Sequence, residues 1–336
     1  MALQTSGQIS LKNIADEFGD TAPHSMSEFY GAASGVPTSG AISIGNFYGK
    51  SSGFTFTKTI SSNTQNYNLR NDMIAAGWDG VLPATVAITI NSGVYVWASS
   101  TGTAAFTTGT MSSGTTISIV NNGYIMGKGG NGGAGGGATT FSAYPGSAGG
   151  PAINLNYPVS FTNNSYIGGG GGGGGGSGAY SNYGVACGGG GGAGGGTGGA
   201  ADYMANNSYY PGGAGGGPGV KGSNGQSYTG GGGGRIMPGV ATTAYSQGGQ
   251  AGGNGARYFN IGNGSYGRGG GGGSAGGGAV NDGNIPRNSG GGGGWGASGG
   301  AGLPGGAGAG GKAVNLNGNT VTWVATGTRY GAISWQ

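Results

Sequence analysis

The stretch "YIGGGGGGGGGSGAYSNYGVACGGGGGAGGGTGGAADYMANNSYYPGG", residues 166–213, decides how the chain must be read. Glycines fill 168–176 without a break, further glycine runs follow, and the short inserts between them are rich in tyrosine. Glycine loses more backbone freedom on ordering than any other residue, so such runs stay unfolded unless something offsets the cost at each position. Either the region is disordered, or the glycines are themselves the structure.

Composition weighs against disorder. The chain of 336 residues holds 95 glycines and 11 prolines, a level that without a collagen period reads as low complexity. Disordered chains, however, combine high charge with few rings, and here only 6% of residues are charged while 10% are aromatic. The formal net charge is +4 and the basic residues never form a run, so no nucleic-acid partner is expected. Cys187 is the one cysteine and cannot close an internal disulfide, and with a single histidine no metal or cofactor site is expected. No apolar run of about 20 residues exists and no basic start precedes an apolar segment. Neither membrane insertion nor a signal peptide is therefore expected, and synthesis in a cytoplasm is.

Outward from the quoted stretch, two repeats show how the glycine region joins its flanks. "NNGYIMGKGG" at 121–130 recurs as "NNSYIGGGGG" at 163–172, and "GGPAINLN" at 149–156 recurs as "GGKAVNLN" at 310–317. Strand-like segments thus lead into and out of the glycine in matching ways, which a random coil does not need. Between 54 and 126, "FTFTKTI", "VAITI", "GVYVWA" and "TTISIV" alternate like strands, and "NYNLRNDMIAAGW" sets Leu69, Met73 and Ala76 on one helical face. A helix packed on a small sheet is the economical reading. Residues 1–50 repeat one design three times, a serine with an apolar or ring residue before it and another four positions after: Ile9-Ser10 with Ile14, His24-Ser25 with Phe29, Ile42-Ser43 with Phe47. Each fits a serine N-cap with a hydrophobic staple, and His24 reads as local packing.

The regular conformation that suits long glycine runs is the polyproline II helix, with three residues per turn. Its backbone groups point sideways, so a bundle of such helices can bond from chain to chain if nothing larger than glycine intervenes. Helices on the outside can then carry side chains at every third residue. Lys128, Asn131 and Ala134 keep that phase, as do Pro211 with Ala214, Gln247 with Gln250, and Trp295, Ser298, Ala301, Pro304 and Ala307. The runs count to ten, at about 127–138, 148–150, 168–178, 188–200, 212–219, 230–234, 248–255, 269–278, 290–300 and 305–311. An even number running up and down returns the chain to its starting end, where "GGKAVNLN" can lie beside "GGPAINLN". The fold class expected is mostly β and irregular: a small α+β attachment domain plus a bundle of about ten glycine-rich polyproline II helices with long end loops. The division expected is an adaptor at 1–50, an α+β domain at 51–126 joined by 151–167 and 312–336, and the glycine sandwich at 127–311.

That count places the loops 139–147, 179–187, 220–229, 256–268 and the turn near 303 at the far end, and 201–211, 235–247 and 279–289 at the near end. Tyrosine, serine, glycine and asparagine dominate the far-end loops, a vocabulary shared with antibody paratopes, in which rigid rings supply contact area and small polar residues adapt.

On these features the chain resembles the tail-fibre tip adhesins of T-even-like bacteriophages, their receptor-recognising proteins. The likeness covers roughly 121–311 and rests on runs such as "IMGKGGNGGAGGG" and "GGGGGRIMPG" between aromatic loops, together with "NNGYI". It implies a sandwich of polyglycine II helices whose end loops contact a bacterial outer-membrane protein or surface glycan. "NYNLRNDMIAAGWDGV" and "VAITINSGVYV" look like the attachment-side domain of related tail proteins. "ISLKNIADEFG" and "SIGNFYG" are similar to short N-terminal pieces of many phage tail proteins, and are not part of the T-even likeness.

The receptor-binding residues expected are Phe141, Tyr144, Tyr180, Tyr183, Lys221, Tyr228, Arg257, Tyr258, Phe259, Tyr266 and Arg268, the cations suiting phosphate or carboxylate groups. Phe18, Phe29, Tyr30, Phe47 and Tyr48 are expected to dock another tail or fibre protein, because so small a piece has more rings than it can hide. An enzyme is not expected: six of eight acidic residues lie before residue 80, leaving Asp202 and Asp282 for any carboxylate pair in the glycine half. His24 is far along the chain from Cys187, and matches to G-x-G-x-x-G arise from composition alone. The rival reading is a purely structural tail or fibre protein, which would have bland, short connections at both ends.

Overall fold

The structure, a computed structural model, describes residues 2–33, 35–136, 142–178, 185–200, 202–203, 211–218, 222–223, 225, 275 and 289–334. It divides into two compact units, one of Met1–Thr57, Met73–Val86 and Met111–Thr116, the other of Lys58–Asp72, Ala87–Thr110 and Ile117–Gln336.

In the first unit, three serines open three helical turns. Helix α1 spans Leu11–Phe18 behind Ser10, and 3₁₀ turns at Met26–Phe29 and Ile44–Phe47 follow Ser25 and Ser43. Each serine N–H donates to the side chain three residues on, Asn13 at 2.9 Å, Glu28 at 2.6 Å and Asn46 at 2.8 Å, the returning half of a capping box. Ile9, Ile14, Phe29 and Phe47 are buried with Leu3, Ala15 and Val36 in one core. Phe18, Phe29 and Phe47 close a triangle with ring centroids 6.3, 5.9 and 6.1 Å apart. Of the five rings expected to dock a partner, Phe18 and Tyr30 are half-buried and Tyr48 is exposed. Phe29 and Phe47 are 2% and 0% exposed, hidden by packing on each other and on Phe18. The hydroxyls of Tyr30 and Tyr48 donate to the carbonyls of Gly40 and Gly7. His24 lies 2.9 Å from Asp20 and packs locally.

The protein is mostly β, with three five-stranded sheets whose strands lie mostly in the second unit. The chain visits the sheets in rotation. The first circuit is β1 (Phe54–Ile60), β2 (Thr64–Gln65) and β3 (Tyr67–Asn68), followed by the short helix α2 (Leu69–Ala75). The second is β4 (Ala84–Ile90), β5 (Tyr95–Trp97) and β6 (Phe106–Thr107); the third, β7 (Thr116–Asn121), β8 (Tyr124–Met126) and β9 (Ile153–Asn154). The fourth holds β10 (Val159–Asn163) and β11 (Tyr166–Gly168), then an excursion with β12 (Val185–Ala186) and β13 (Asp202–Tyr203), then β14 (Val314–Asn315). The last is β15 (Val321–Ala325), β16 (Thr328–Tyr330) and β17 (Ile333–Ser334). The sheets are ordered β1-β4-β7-β10-β15, β2-β5-β8-β11-β16 and β3-β6-β9-β14-β17, so each circuit adds one strand to each sheet. Pairing is parallel throughout the second and third sheets. A helix on a small sheet was expected instead. Alternation marks a segment as strand and does not say what it pairs with.

The two sequence repeats stack as neighbours. Tyr124, Ile125 and Met126 lie beside Tyr166, Ile167 and Gly168, and Ile153 and Asn154 beside Val314 and Asn315. Facing inward are Val96, Ile125 and Ile167 from one sheet and Phe106, Ile153 and Val314 from another, each fully buried. Asn121 donates to Asn163 at 2.8 Å, a buried polar pair in which each amide finds a partner.

The glycine runs leave the sheets after β8 and β11, and their backbone bonds repeat with a period of three. Along 168–178, the N–H groups of Gly170, Gly173 and Gly176 go to Gly150, Ser147 and Tyr144. Those of Gly171, Gly174 and Ser177 go to Ala193, Gly190 and Cys187, and those of Gly172, Gly175 and Gly178 to Ala297, Gly300 and Leu303. The carbonyls of the same run accept in the same rotation from 127–136, from 290–296 and from 305–311. This one run is thus bonded on six sides, at 2.7–3.2 Å. A Cβ on any of Gly169–Gly176 would strike a neighbouring backbone carbonyl.

Three runs differ from their expected bounds. Residues 188–200 fold back on themselves at Gly194 and Gly195, where φ is +103° and +77°, and 290–300 fold back at Gly296, where φ is +65°. Glycine alone enters that region freely, so a turn inside a glycine run has no sequence signature. Residues 142–150 form one bonded segment, where 148–150 alone was expected.

Candidate functional site

The end of the 168–178 run that points away from the sheets is where the described loops converge. Gly176 donates to the carbonyl of Tyr144 at 3.1 Å and accepts from Gly305 at 3.2 Å, and Gly178 donates to Leu303 at 2.8 Å. Ser177, fully buried, pairs with Cys187 twice: its N–H reaches the Cys187 carbonyl at 2.9 Å, and its Oγ accepts the Cys187 N–H at 3.0 Å. Cys187 is a small buried residue closing a loop. Tyr144 also donates its N–H to Ala134 at 3.0 Å, so its backbone is held on both sides while its side chain is 64% exposed. Pro145 and Pro304 are exposed beside it and Leu303 is half-buried. The arrangement is a ring and a few apolar neighbours on a backbone that cannot shift without breaking several bonds. Among the described residues there is no grouping of three or more His, Cys, Asp or Glu side chains fit to hold a metal.

Of the receptor-binding residues expected from sequence, Tyr144 is in place at this end. Phe141, Tyr180, Tyr183, Lys221, Tyr228, Arg257, Tyr258, Phe259, Tyr266 and Arg268 lie outside the described residues. The parity of one loop is corrected. Because 188–200 doubles back, Gly199 and Ala200 stand beside Gly189 and Gly135 at the far end, and β13 pairs antiparallel with β12 there, Tyr203 against Val185. Gly212 is bonded to Gly199. Ala200 and Gly212, which flank the 201–211 loop expected to face the sheets, therefore both lie at the far end. The run beginning at 212 travels back toward the sheets, opposite to its expected direction, with Gly216 reaching Gly194. Leu303 and Pro304 were missed as candidates, though legible as an apolar pair between glycines.

Among the described residues, no helix is long and apolar enough to cross a membrane. No curated protein and no solved structure matches the chain. The family model of the phage tail fibre adhesin Gp38 matches residues 55–229, more than half of the chain. With its glycine runs, parallel sheets and exposed aromatic end, the chain belongs to the phage tail fibre adhesin Gp38 family, proteins of the virion tail that serve host recognition.

Proposed function

We propose that this adhesin recognises a bacterial cell-surface receptor, an outer-membrane protein or a glycan, through loops at the far end of a scaffold of polyproline II helices. The bonding along 168–178 supports the scaffold. A helix of three residues per turn turns every third N–H to the same neighbour, and that is the rotation observed. Contact from six sides leaves no room for side chains, which accounts for the unbroken glycine.

The observation that carries recognition is Tyr144, exposed at the end away from the sheets on a fixed backbone. A ring held in this way binds at low cost in conformational entropy. Of the expected residues outside the described region, Phe141, Tyr180 and Tyr183 belong to the same proposal, with Leu303 added; for Lys221, Tyr228 and the residues of later loops, a far-end place does not follow from a run at 212–218 directed toward the sheets.

The test is adsorption of purified protein to cells of the host strain. Tyr144→Ala is expected to weaken adsorption on the order of tenfold or more, as loss of a central interface ring does, with an unchanged melting curve. Tyr95→Ala, near the sheets, is expected to leave it unchanged. Full adsorption by Tyr144→Ala and Leu303→Ala, singly and combined, would overturn the proposal and favour a purely structural role.

A further inference from the structure

The last circuit of strands, β15, β16 and β17, forms one edge of each of the three sheets, and among the described residues no strand pairs beyond it. The Thr328 N–H donates to Ser165 at 2.9 Å and the Tyr330 carbonyl accepts from Gly169 at 3.0 Å, so the peptide groups of Arg329, between them, point the other way, out of the sheet. A row of such open N–H and C=O groups is a template for a further strand. The side chains of the edge decide whether one can be added.

Two of the three edge strands depart from the circuits behind them. In the second sheet one inward column runs Val96, Ile125, Ile167 and Arg329. The first three are fully buried aliphatic side chains, whereas the fourth is half-buried and carries a charge. Its guanidinium lies 4.6 Å from the centre of the Trp323 ring, so it is held over the interior between the first sheet and the second. Among the described residues no carboxylate pairs with it. In the first sheet Phe161 pairs with Trp323 and Thr162 with Ala325, which leaves Val324 as an extra residue in β15, 68% exposed. The third edge strand, β17, is two residues long. An inward charge, a bulge and a short strand are three ways of making an edge unfit for pairing.

We infer that Arg329 and the Val324 bulge make the last circuit a stop, which keeps this end of the sheets from pairing with the same end of a second copy. Two identical edges related by a twofold axis would set β16 against β16 and close into a dimer. Such pairing would enclose two unpaired guanidinium groups where the column otherwise holds aliphatic side chains, and enclosing an unpaired charge is costly. The bulge bends β15 away from its counterpart. The inference rests on the sheets alone and is independent of the receptor reading.

The test is sedimentation velocity of the full chain over a range of concentrations. Wild type and Arg329→Lys are expected to sediment alike. Arg329→Ile, which continues the column of Ile125 and Ile167, is expected to associate, its mass rising with concentration toward twice the wild-type value, and to do so more strongly with Val324 deleted as well. Hydrogen exchange is expected to show the amide of residue 329 newly protected in the associated form. Arg329→Glu loses the contact with Trp323 but keeps a charge, and is expected to sediment as wild type does. Equal association by Arg329→Glu would overturn the inference, because it would trace self-association to lost stability. Unchanged sedimentation of folded Arg329→Ile, or association without protection at 329, would overturn it too. Arg329→Leu replaces Arg329→Ile if that chain fails to fold, and failure of both would make Arg329 a requirement of the fold rather than a stop.

Discussion

Gly173 and Gly217 have the same side chain and opposite tolerances. A Cβ on Gly173 would land inside the backbone carbonyl of Asn131, whereas one on Gly217 would meet nothing within 4 Å. Gly173→Ala is therefore expected to destabilise by about 3 kcal/mol or more, as overpacking of a rigid interior does. Gly217→Ala, at a negative or extended φ, is expected to stabilise by up to about 1 kcal/mol by restricting the unfolded chain. Thermal melting of the two variants checks both, and equal melting points would show that the bundle is not packed as described. The sequence carried part of this: Lys128 and Asn131, in the permitted phase, are half-buried and exposed. What it did not carry is their use. Lys128 Nζ donates to Gly195 at 2.7 Å and Asn131 Oδ1 accepts from Thr197 at 3.1 Å, both on a segment created by the glycine turn.

At the scale of elements, parallel stacking lines up like residues from successive circuits. Tyr95, Tyr124, Tyr166 and Tyr330 stack in one row, with centroids 4.7, 5.9 and 6.3 Å apart. Burial and the neighbouring Tyr166 raise the pKa of Tyr124 and Tyr330, and burial with the Asp72 carboxylate raises that of Tyr67. These phenols lose their protons more readily unfolded than folded. Their contribution is complete below the unfolded value of about 10 and declines as pH rises above it. Chemical denaturation at rising pH is expected to show stability falling from about pH 10, and less steeply in Tyr67→Phe. Beneath the row, Trp295 is fully buried with Met126 and Ala193. Trp295→Ala is expected to cost about 3–5 kcal/mol, measured by denaturant unfolding. The period-three rule assigned Trp295 a permitted side-chain position and could not reveal that this position faces the tyrosines. The sheets were hidden for a related reason: strands of two to seven residues pair with partners a whole circuit away, and only the two repeats, "NNGYI" with "NNSYI" and "GGPAINLN" with "GGKAVNLN", disclosed neighbours.

At the scale of the whole molecule, the glycine is an insertion at one corner of the sheet circuit. In the third and fourth circuits the chain leaves after β8 and β11 and returns at β9 and β14, always between the second and third sheets. In the last circuit the same corner takes only Gly331 and Ala332, between β16 and β17. The matched repeats made these departures and returns legible. The hidden turns at 194–195 and 296 made the count and direction of the runs illegible. Since Ile125, Ile167, Ile153 and Val314 face inward between the sheets, the core does not need the glycine to be filled. A chain with 127–152 and 169–313 each replaced by Gly-Ala, the residues found at 331–332, is therefore expected to keep its β circular dichroism and to melt in one cooperative step. Loss of Trp295 leaves Trp97 and Met126 uncovered, so its stability is expected to be lower than that of the full chain. Adsorption to host cells is expected to vanish, because the far end that carries Tyr144 is gone. A noncooperative or unfolded product would mean that the six-sided glycine contacts hold the sheets together, and that the two parts of the second unit are one folding unit.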